Sequence, residues 1–171
     1  MYQTGILFRN LALAFLICLT PGIARAHTLR SEPKLRSSAQ ADAARIEQLL
    51  QQSAYTYRKA ADGVWIIERQ GKELAKFQVL LASGPGFLVT GVIIAPRKTM
   101  DVNSEMMFKL LKLDHSLDYV KIGFDDDDDL FVRSEVKTRQ LDAQEFKEGV
   151  ERVSADADQI YVAIKPYLKT L

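Results

Sequence analysis

Two alternating runs on either side of an acidic turn constrain the fold of this chain more than any other feature. Residues 119–124 and 130–136 place apolar side chains at alternate positions, interrupted only at Ser134, and a run of five aspartates, residues 125–129, separates them. Because side chains alternate between the two faces of a strand, this pattern predicts a β-hairpin with one apolar face. Another part of the chain must cover that face.

The covering element is predicted directly after the hairpin, as a long helix. Apolar residues recur at spacings of three and four between residues 146 and 167, which forms one apolar stripe along about six helical turns. Asp142, with Glu145 three residues later, is typical of a capping-box start. A helix with such a stripe needs an apolar surface to pack against, and the sheet that contains the hairpin is the nearest one.

Two further helices are predicted earlier in the chain. The first begins at Ser37 or Ser38, either of which can cap it, and its apolar positions follow the helical period. The second covers residues 104–114, is capped by Asp101 or Asn103, and has a leucine- and methionine-rich apolar side.

Strand-forming residues fill the region between these two helices, and we predict three strands from them. The last run is apolar at every position, which indicates a strand covered on both faces. One cover is a helix, and the other is a further element such as a second copy of the chain. The runs of strand-forming residues are 55–59, 64–68, 75–81 and 87–94.

Together these patterns predict one α+β domain over residues 38–171. Its order is helix, three strands, helix, two strands, helix, with a mainly antiparallel five-stranded sheet covered by the helices. Residues 27–37 mix charged residues with Pro33 and show no period. We therefore expect them to form a flexible lead-in to the domain.

Residues 1–26 have the pattern of a secretory signal peptide. Arg9 precedes an apolar run at residues 11–19, and Ala24 and Ala26 frame an A-x-A cleavage site. The run is too short to span a bilayer, which takes about 20 residues. Cleavage after Ala26 would leave a periplasmic or secreted domain that begins at His27 and has no stable membrane insertion.

Charge and cysteine content exclude several classes of function. The chain has 23 basic and 22 acidic residues, so no global field recruits nucleic acid or anionic lipid. Its single cysteine lies in the predicted signal peptide, which excludes thiol chemistry and disulfides from the mature domain. We find no nucleophile elbow, P-loop or zinc-protease signature. The sequence therefore predicts no catalytic residues and no cofactor.

The aspartate run raises the alternative of a calcium site. If a calcium-binding loop began at Asp125, then Asp127 and Asp129 would occupy positions three and five. Position six, however, is Leu130, where the loop requires glycine. The competing interpretation is a solvated turn whose charges disfavour edge-to-edge pairing.

Copper is the second metal that the sequence suggests. After cleavage, the free amine and imidazole of His27 would offer nitrogen ligands, and His115 is the only other histidine. The competing interpretations are a frayed terminus for His27 and, for His115, a favourable position near the C-terminal end of a helix.

Four large apolar residues are candidate contacts for a protein partner: Trp65, Phe87, Val89 and Met107. Aromatic residues in strands and a methionine on a helix can line a binding face. The competing interpretation for each of them is packing in the core.

Several local motifs lie in a characteristic order at residues 55–57, 62–65, 106–113, 120–124, 130–132, 141–146 and 155–158. Their order resembles the YbjN family, whose fold is related to the type III secretion chaperones. The resemblance covers about residues 39–168, roughly the length of one domain. It implies a non-enzymatic domain that forms homodimers and holds an extended segment of a partner.

The sequence therefore predicts a non-catalytic, exported, protein-binding or chaperone-like module that forms a homodimer and holds a segment of an unidentified protein partner by a sheet edge or a hydrophobic face. It departs from the related chaperones, which act in the cytoplasm, in having a signal peptide. The alternative is a periplasmic metal-binding protein that uses the aspartate turn for calcium or the mature N-terminus for copper.

Overall fold

The computed structural model describes residues 32–169 of the chain, with side chains from residue 39 onward. The predicted signal peptide and His27 therefore lie outside the described residues. Within the described part, three helices and six strands follow one another. They are α1 (Glu32–Gln52), β1 (Tyr57–Ala61), β2 (Val64–Arg69), β3 (Phe77–Gly84), β4 (Phe87–Ala95), α2 (Ser104–Ser116), β5 (Lys121–Phe124), β6 (Leu130–Lys137) and α3 (Ala143–Ile164).

The strands form one antiparallel sheet in the order β1-β2-β3-β4-β6-β5. The predicted α+β class is therefore confirmed, but the sheet has six strands, one more than we predicted. All four strand-forming runs between α1 and α2 form strands. The short strand β1 is half-buried at Tyr57 and exposed at its other residues, and it forms a hairpin with β2.

The first helix begins at Glu32, before the predicted cap at Ser37 or Ser38. Residues 32–37 of the predicted flexible lead-in are thus helical. Pro33 had suggested irregular structure, yet a proline is tolerated in the first turn of a helix, where the backbone N–H has no intrahelical acceptor to lose.

The closing hairpin and the last helix match their predictions. Strands β5 and β6 pair with Phe124 opposite Leu130 across the aspartate turn. The Asp142 side chain caps α3 by accepting a hydrogen bond of 2.8 Å from the Glu145 backbone N–H. In the same way Asn103, rather than Asp101, caps α2, at 3.0 Å from the Met106 backbone N–H.

The core lies between the helices and one face of the sheet. The apolar stripe of α3 is buried along its whole length and packs against β4 and β6 at the centre of the sheet. Within residues 32–169, none of the helices combines the length and the apolar character needed to cross a membrane. The stripe comprises Phe146, Val150, Val153, Ala157, Ile160 and Ile164.

Candidate functional site

The face of the sheet that points away from the core carries its own set of apolar residues, which we call the open face. The strand register places these residues on one side of the central strands. They do not belong to the core cluster and do not pack against it, even though Ile66 is only 3% exposed. The open face comprises Val64, Ile66, Leu80, Ala82, Phe87, Val89, Gly91, Ile93 and Phe131.

Two aromatic rings lie flat on this face, each over a glycine of the neighbouring strand. A side chain at Gly123 would collide with the ring of Phe131, and one at Gly84 would collide with the ring of Phe87. Because the two rings lie along the sheet instead of projecting from it, they add little height above the backbone of the strands. Another polypeptide backbone can therefore approach it closely.

Charged residues border the open face on β5 and β6. The Glu135 carboxylate lies 3.6 Å from Lys121 Nζ and 3.3 Å from a guanidinium nitrogen of Arg133. The Arg133 guanidinium also lies 5.3 Å from the centre of the Phe131 ring. The Glu135 carboxylate thus forms ion pairs with two cations at this border.

A groove with a volume of about 750 Å³ opens at the end of the face that is nearest to the β2–β3 loop. Arg58, Glu68, Gln78 and Ile93 contribute to it from the strands, and Lys76 contributes from the loop. The groove extends the apolar surface into a partly charged recess.

The two edge strands differ in their accessibility. The backbone N–H of Ile122 on β5 donates to Asp114 Oδ1 of α2 at 3.0 Å, so a side chain occupies part of that edge. Strand β1 at the opposite edge is exposed from Arg58 to Ala61. Of the two edges, β1 is therefore the one open to backbone pairing with another chain.

The structure separates the four predicted partner contacts. Trp65 is 1% exposed and belongs to the core, so its prediction as a surface contact was wrong and the competing interpretation of core packing holds. Phe87 is 38% exposed and lies with Val89 on the open face. Met107 is 37% exposed but lies on α2. The four residues do not form one site.

A second apolar surface lies on α2, and we call Met107, Phe108 and Leu111 the α2 patch. Phe108 and Leu111 are 62% and 64% exposed. The sequence analysis placed Met107 and Leu111 on the apolar side that packs inward, but only Met106 and Leu110 are buried from this helix. Several apolar positions of α2 therefore face solvent.

The aspartate turn is held by its own hydrogen bonds. Asp125 Oδ1 accepts from the backbone N–H groups of Asp127 and Asp129, at 3.1 and 2.9 Å. Asp129 Oδ1 accepts from the Arg97 backbone N–H at 2.7 Å. Burial, together with the charges of Asp125 and Asp127, raises the pKa of Asp129. These contacts show that the side chains of Asp125 and Asp129 stabilise the turn by accepting hydrogen bonds from backbone N–H groups.

Neither metal hypothesis gains support from the described residues. Among residues 32–169, no group of three His, Cys, Asp or Glu side chains is arranged to hold a metal ion. His115 is exposed in the last turn of α2, and His27, its proposed copper-binding partner, is not described. The calcium and copper sites therefore stay predictions from the sequence.

The open face includes residues that the sequence analysis did not select. Ile66, Leu80, Ile93 and Phe131 join Phe87 and Val89 only because the register aligns their strands. Each of these strands has an apolar residue on the side that points away from the core, and this could be read from the sequence. That these residues lie next to one another is known only once the pairing of the strands is known.

Comparison with known proteins identifies a similar fold and no family. No protein-family model matches the sequence, and no curated protein matches it either. The structure is similar to a chain of the heterodimeric ExoU–SpcU complex from the type III secretion system of Pseudomonas aeruginosa, with a TM-score of 0.52 and 17% identity. The similarity covers 71% of this chain and 98% of that chain.

At this level of identity the similarity concerns the fold. It agrees with the fold that the resemblance to type III secretion chaperones implied. Membership of the YbjN family stays a prediction from the sequence motifs.

Proposed function

We propose that this protein is a non-catalytic, chaperone-like module that holds an extended segment of a partner protein on its open face. The observation that carries the proposal is the apolar sheet face that lies outside the core cluster. A flat apolar surface of this kind is stabilised when another chain covers it. The exposed edge of β1 offers backbone groups with which a neighbouring part of the same partner could pair.

The fold similarity supports the proposal. The similar chain belongs to a heterodimeric complex, so this fold occurs in a protein that binds another protein. We further propose that the domain acts in the periplasm or outside the cell, since residues 1–26 have the signal-peptide pattern.

The open face is tested by replacing Val89 with glutamine and measuring the affinity for reduced, carboxymethylated α-lactalbumin, a permanently unfolded protein. Val89 lies in the middle of the face, opposite Ala82 and Glu135. Burying the glutamine amide against apolar groups leaves it without hydrogen-bond partners. We expect Val89→Gln to weaken binding about five- to tenfold, or roughly 1 to 1.4 kcal/mol, measured by fluorescence anisotropy.

The matched control is Val162→Gln. Val162 is 48% exposed but lies on α3, on the other side of the molecule from the open face, so this variant should bind within about twofold of the wild type. Equal losses in both variants would assign the binding to nonspecific apolar contact. Absence of any binding by the wild type would reject the proposed function.

We also propose that two copies of the chain associate through the α2 patch. Exposed phenylalanine, leucine and methionine side chains on one helix are typical of a surface that is covered in an assembly. The patch is separate from the open face, so a dimer formed there leaves the open face accessible to a partner.

Replacing Leu111 with aspartate should weaken this dimer at least tenfold, because a charge would be buried without a partner in the contact. Sedimentation velocity across a range of protein concentrations measures the change. Val162→Asp, which introduces the same charge at an exposed apolar position of another helix, should leave the dimer intact. A wild-type protein that remains monomeric at the highest concentration would contradict the proposal.

A further inference from the structure

One row of residues crosses five strands of the sheet on the open face. The register aligns Arg58 with Ile66, Ile66 with Leu80, Leu80 with Gly91, and Gly91 with Arg133. A cation therefore stands at each end of the row, and the positions between them carry two branched apolar side chains and a glycine.

The length of this row matches a short extended peptide. Neighbouring strands lie about 4.8 Å apart, so the four steps from Arg58 to Arg133 span about 19 Å. An extended chain rises about 3.3 Å per residue and directs every second side chain to the same side. A seven-residue segment laid across the strands would thus place its first and last side chains about 20 Å apart, at the two cations.

The interior of the row favours apolar side chains at the third and fifth positions of such a segment. The third residue would lie about 7 Å from the first, between Ile66 and Leu80. The fifth would lie about 13 Å along, close to Gly91, where the row has no side chain of its own. An apolar side chain at either position would lie next to Leu80, which is half-buried, whereas Ile66 and Gly91 are already buried.

The charged residues on the open face of the sheet favour a segment whose first and last residues are acidic. Four cations and two carboxylates point to this side, although the whole chain is almost neutral. At the Arg133 end, Glu135 is shared between Lys121 and Arg133. These residues are Arg58, Lys121, Arg133 and Lys137, and the carboxylates of Glu68 and Glu135.

The other end of the row is available to an anion. Arg58 is exposed on the edge strand, and no carboxylate of the described residues forms an ion pair with it. Glu68 lies on the next strand but faces Gln78 one row away. A carboxylate at this end could therefore pair with a guanidinium that has no ion pair among the described residues.

We infer that the open face selects an extended partner segment whose two acidic residues, six positions apart, flank a short apolar stretch, and that the segment lies across the strands between Arg58 and Arg133. The inference rests on the proposed function and specifies its partner. Acidic ends would supply selectivity and orientation, while the apolar centre supplies burial.

The test uses four synthetic heptapeptides and the isotope-labelled protein. The first is Glu-Ser-Leu-Ser-Leu-Ser-Glu; the second replaces both glutamates with glutamine, and the third replaces both with lysine. The fourth, Leu-Ser-Glu-Ser-Glu-Ser-Leu, has the composition of the first but places its acids in the middle. Dissociation constants come from amide chemical-shift titrations at low ionic strength, which suit weak binding and also locate the peptide.

We expect the first peptide to bind at least tenfold more tightly than the other three, and to shift the amide signals of Ile66, Leu80 and Gly91. In Arg58→Gln the advantage over the glutamine peptide should fall to about threefold, because one of the two charge contacts is lost. The matched control is Lys59→Gln, since Lys59 is the next residue on the same strand, aligns with core residue Trp65 and pairs with Asp62. It should leave the advantage unchanged.

The outcomes separate this inference from the proposed function. Equal binding of the first and second peptides, or of the first and fourth, overturns the inference but leaves a general peptide-binding face. The inference also fails if the unfolded protein binds and none of the peptides does. If the unfolded protein does not bind to the wild type at all, the proposed function itself is rejected.

Discussion

Replacing Ile160 with alanine is expected to lower the free energy of unfolding by about 2 to 5 kcal/mol. Ile160 is fully buried in the apolar stripe of α3, the helix that covers the centre of the sheet. Truncation removes buried methyl and methylene groups and leaves a cavity that a packed core cannot fully close. Urea unfolding followed by circular dichroism measures the change at constant denaturant slope.

Val162→Ala is the control for this substitution. Val162 is on the same helix, two residues away, but is 48% exposed, so its truncation should change stability by no more than about 0.5 kcal/mol. Both substitutions introduce alanine and therefore favour the helix itself. If the two variants lost similar stability, Ile160 would not lie on the face of α3 that packs against the sheet.

This prediction uses a feature that the sequence alone revealed. The stripe from Phe146 to Ile164 repeats with the helical period over many turns, and only one side of such a helix can be apolar and buried. The capping residue Asp142 is likewise a local signal, because the contact it makes lies three residues along the chain. Periodic and local features of this kind were predicted correctly.

The α2 patch shows where periodicity stops being informative. Met106, Met107, Leu110 and Leu111 are apolar at adjacent positions, so the sequence allows more than one side of the helix to face inward. The sheet and α3 select the side that contains Met106 and Leu110. Which apolar side is buried was decided by tertiary packing, a contribution that the local sequence does not contain.

The open face was only partly predictable for a related reason. The run that became β4 is apolar on both faces, and the helices cover one of them; the cover predicted for the other face stays a prediction. Its neighbours Ile66 and Leu80, however, come from separate strands. They meet beside Gly91 only through the register of three strands, and a shift of one residue in that register would turn them to the other face.

Loss of the Asp158 carboxylate should destabilise the protein by about 2 kcal/mol, because hydrogen bonds to a charged group contribute about 1.5 to 3 kcal/mol. Asp158 Oδ1 accepts from the backbone N–H groups of Glu73 and Leu74, at 2.9 and 2.8 Å. A side chain at Gly71 would collide with this carboxylate. The contact ties the β2–β3 loop to α3, and Asp158→Ala would release it.

The same contact predicts how stability changes with pH. The backbone N–H of Leu74, followed by that of Glu73, holds the pKa of Asp158 below its usual value, which is about 3.9 in an unfolded chain. A carboxyl group whose pKa is lower in the folded state stabilises the fold above the unfolded pKa, and this stabilisation is lost as the pH falls through the folded pKa. The stability difference between the wild type and Asp158→Asn should therefore shrink from pH 7 to pH 3.

Asp156→Asn provides a control of opposite sign on the same helix. Burial raises the pKa of Asp156, against the lowering effect of Arg152, so its charged form is unfavourable in the folded protein and its cost grows as the pH rises above about 4. Asp156→Asn should therefore gain stability relative to the wild type between pH 3 and pH 7, while Asp158→Asn loses it. Parallel pH profiles for the two variants in urea unfolding would contradict the assigned contacts. Opposite slopes would show that α3 anchors the loop bordering the groove of the open face through Asp158.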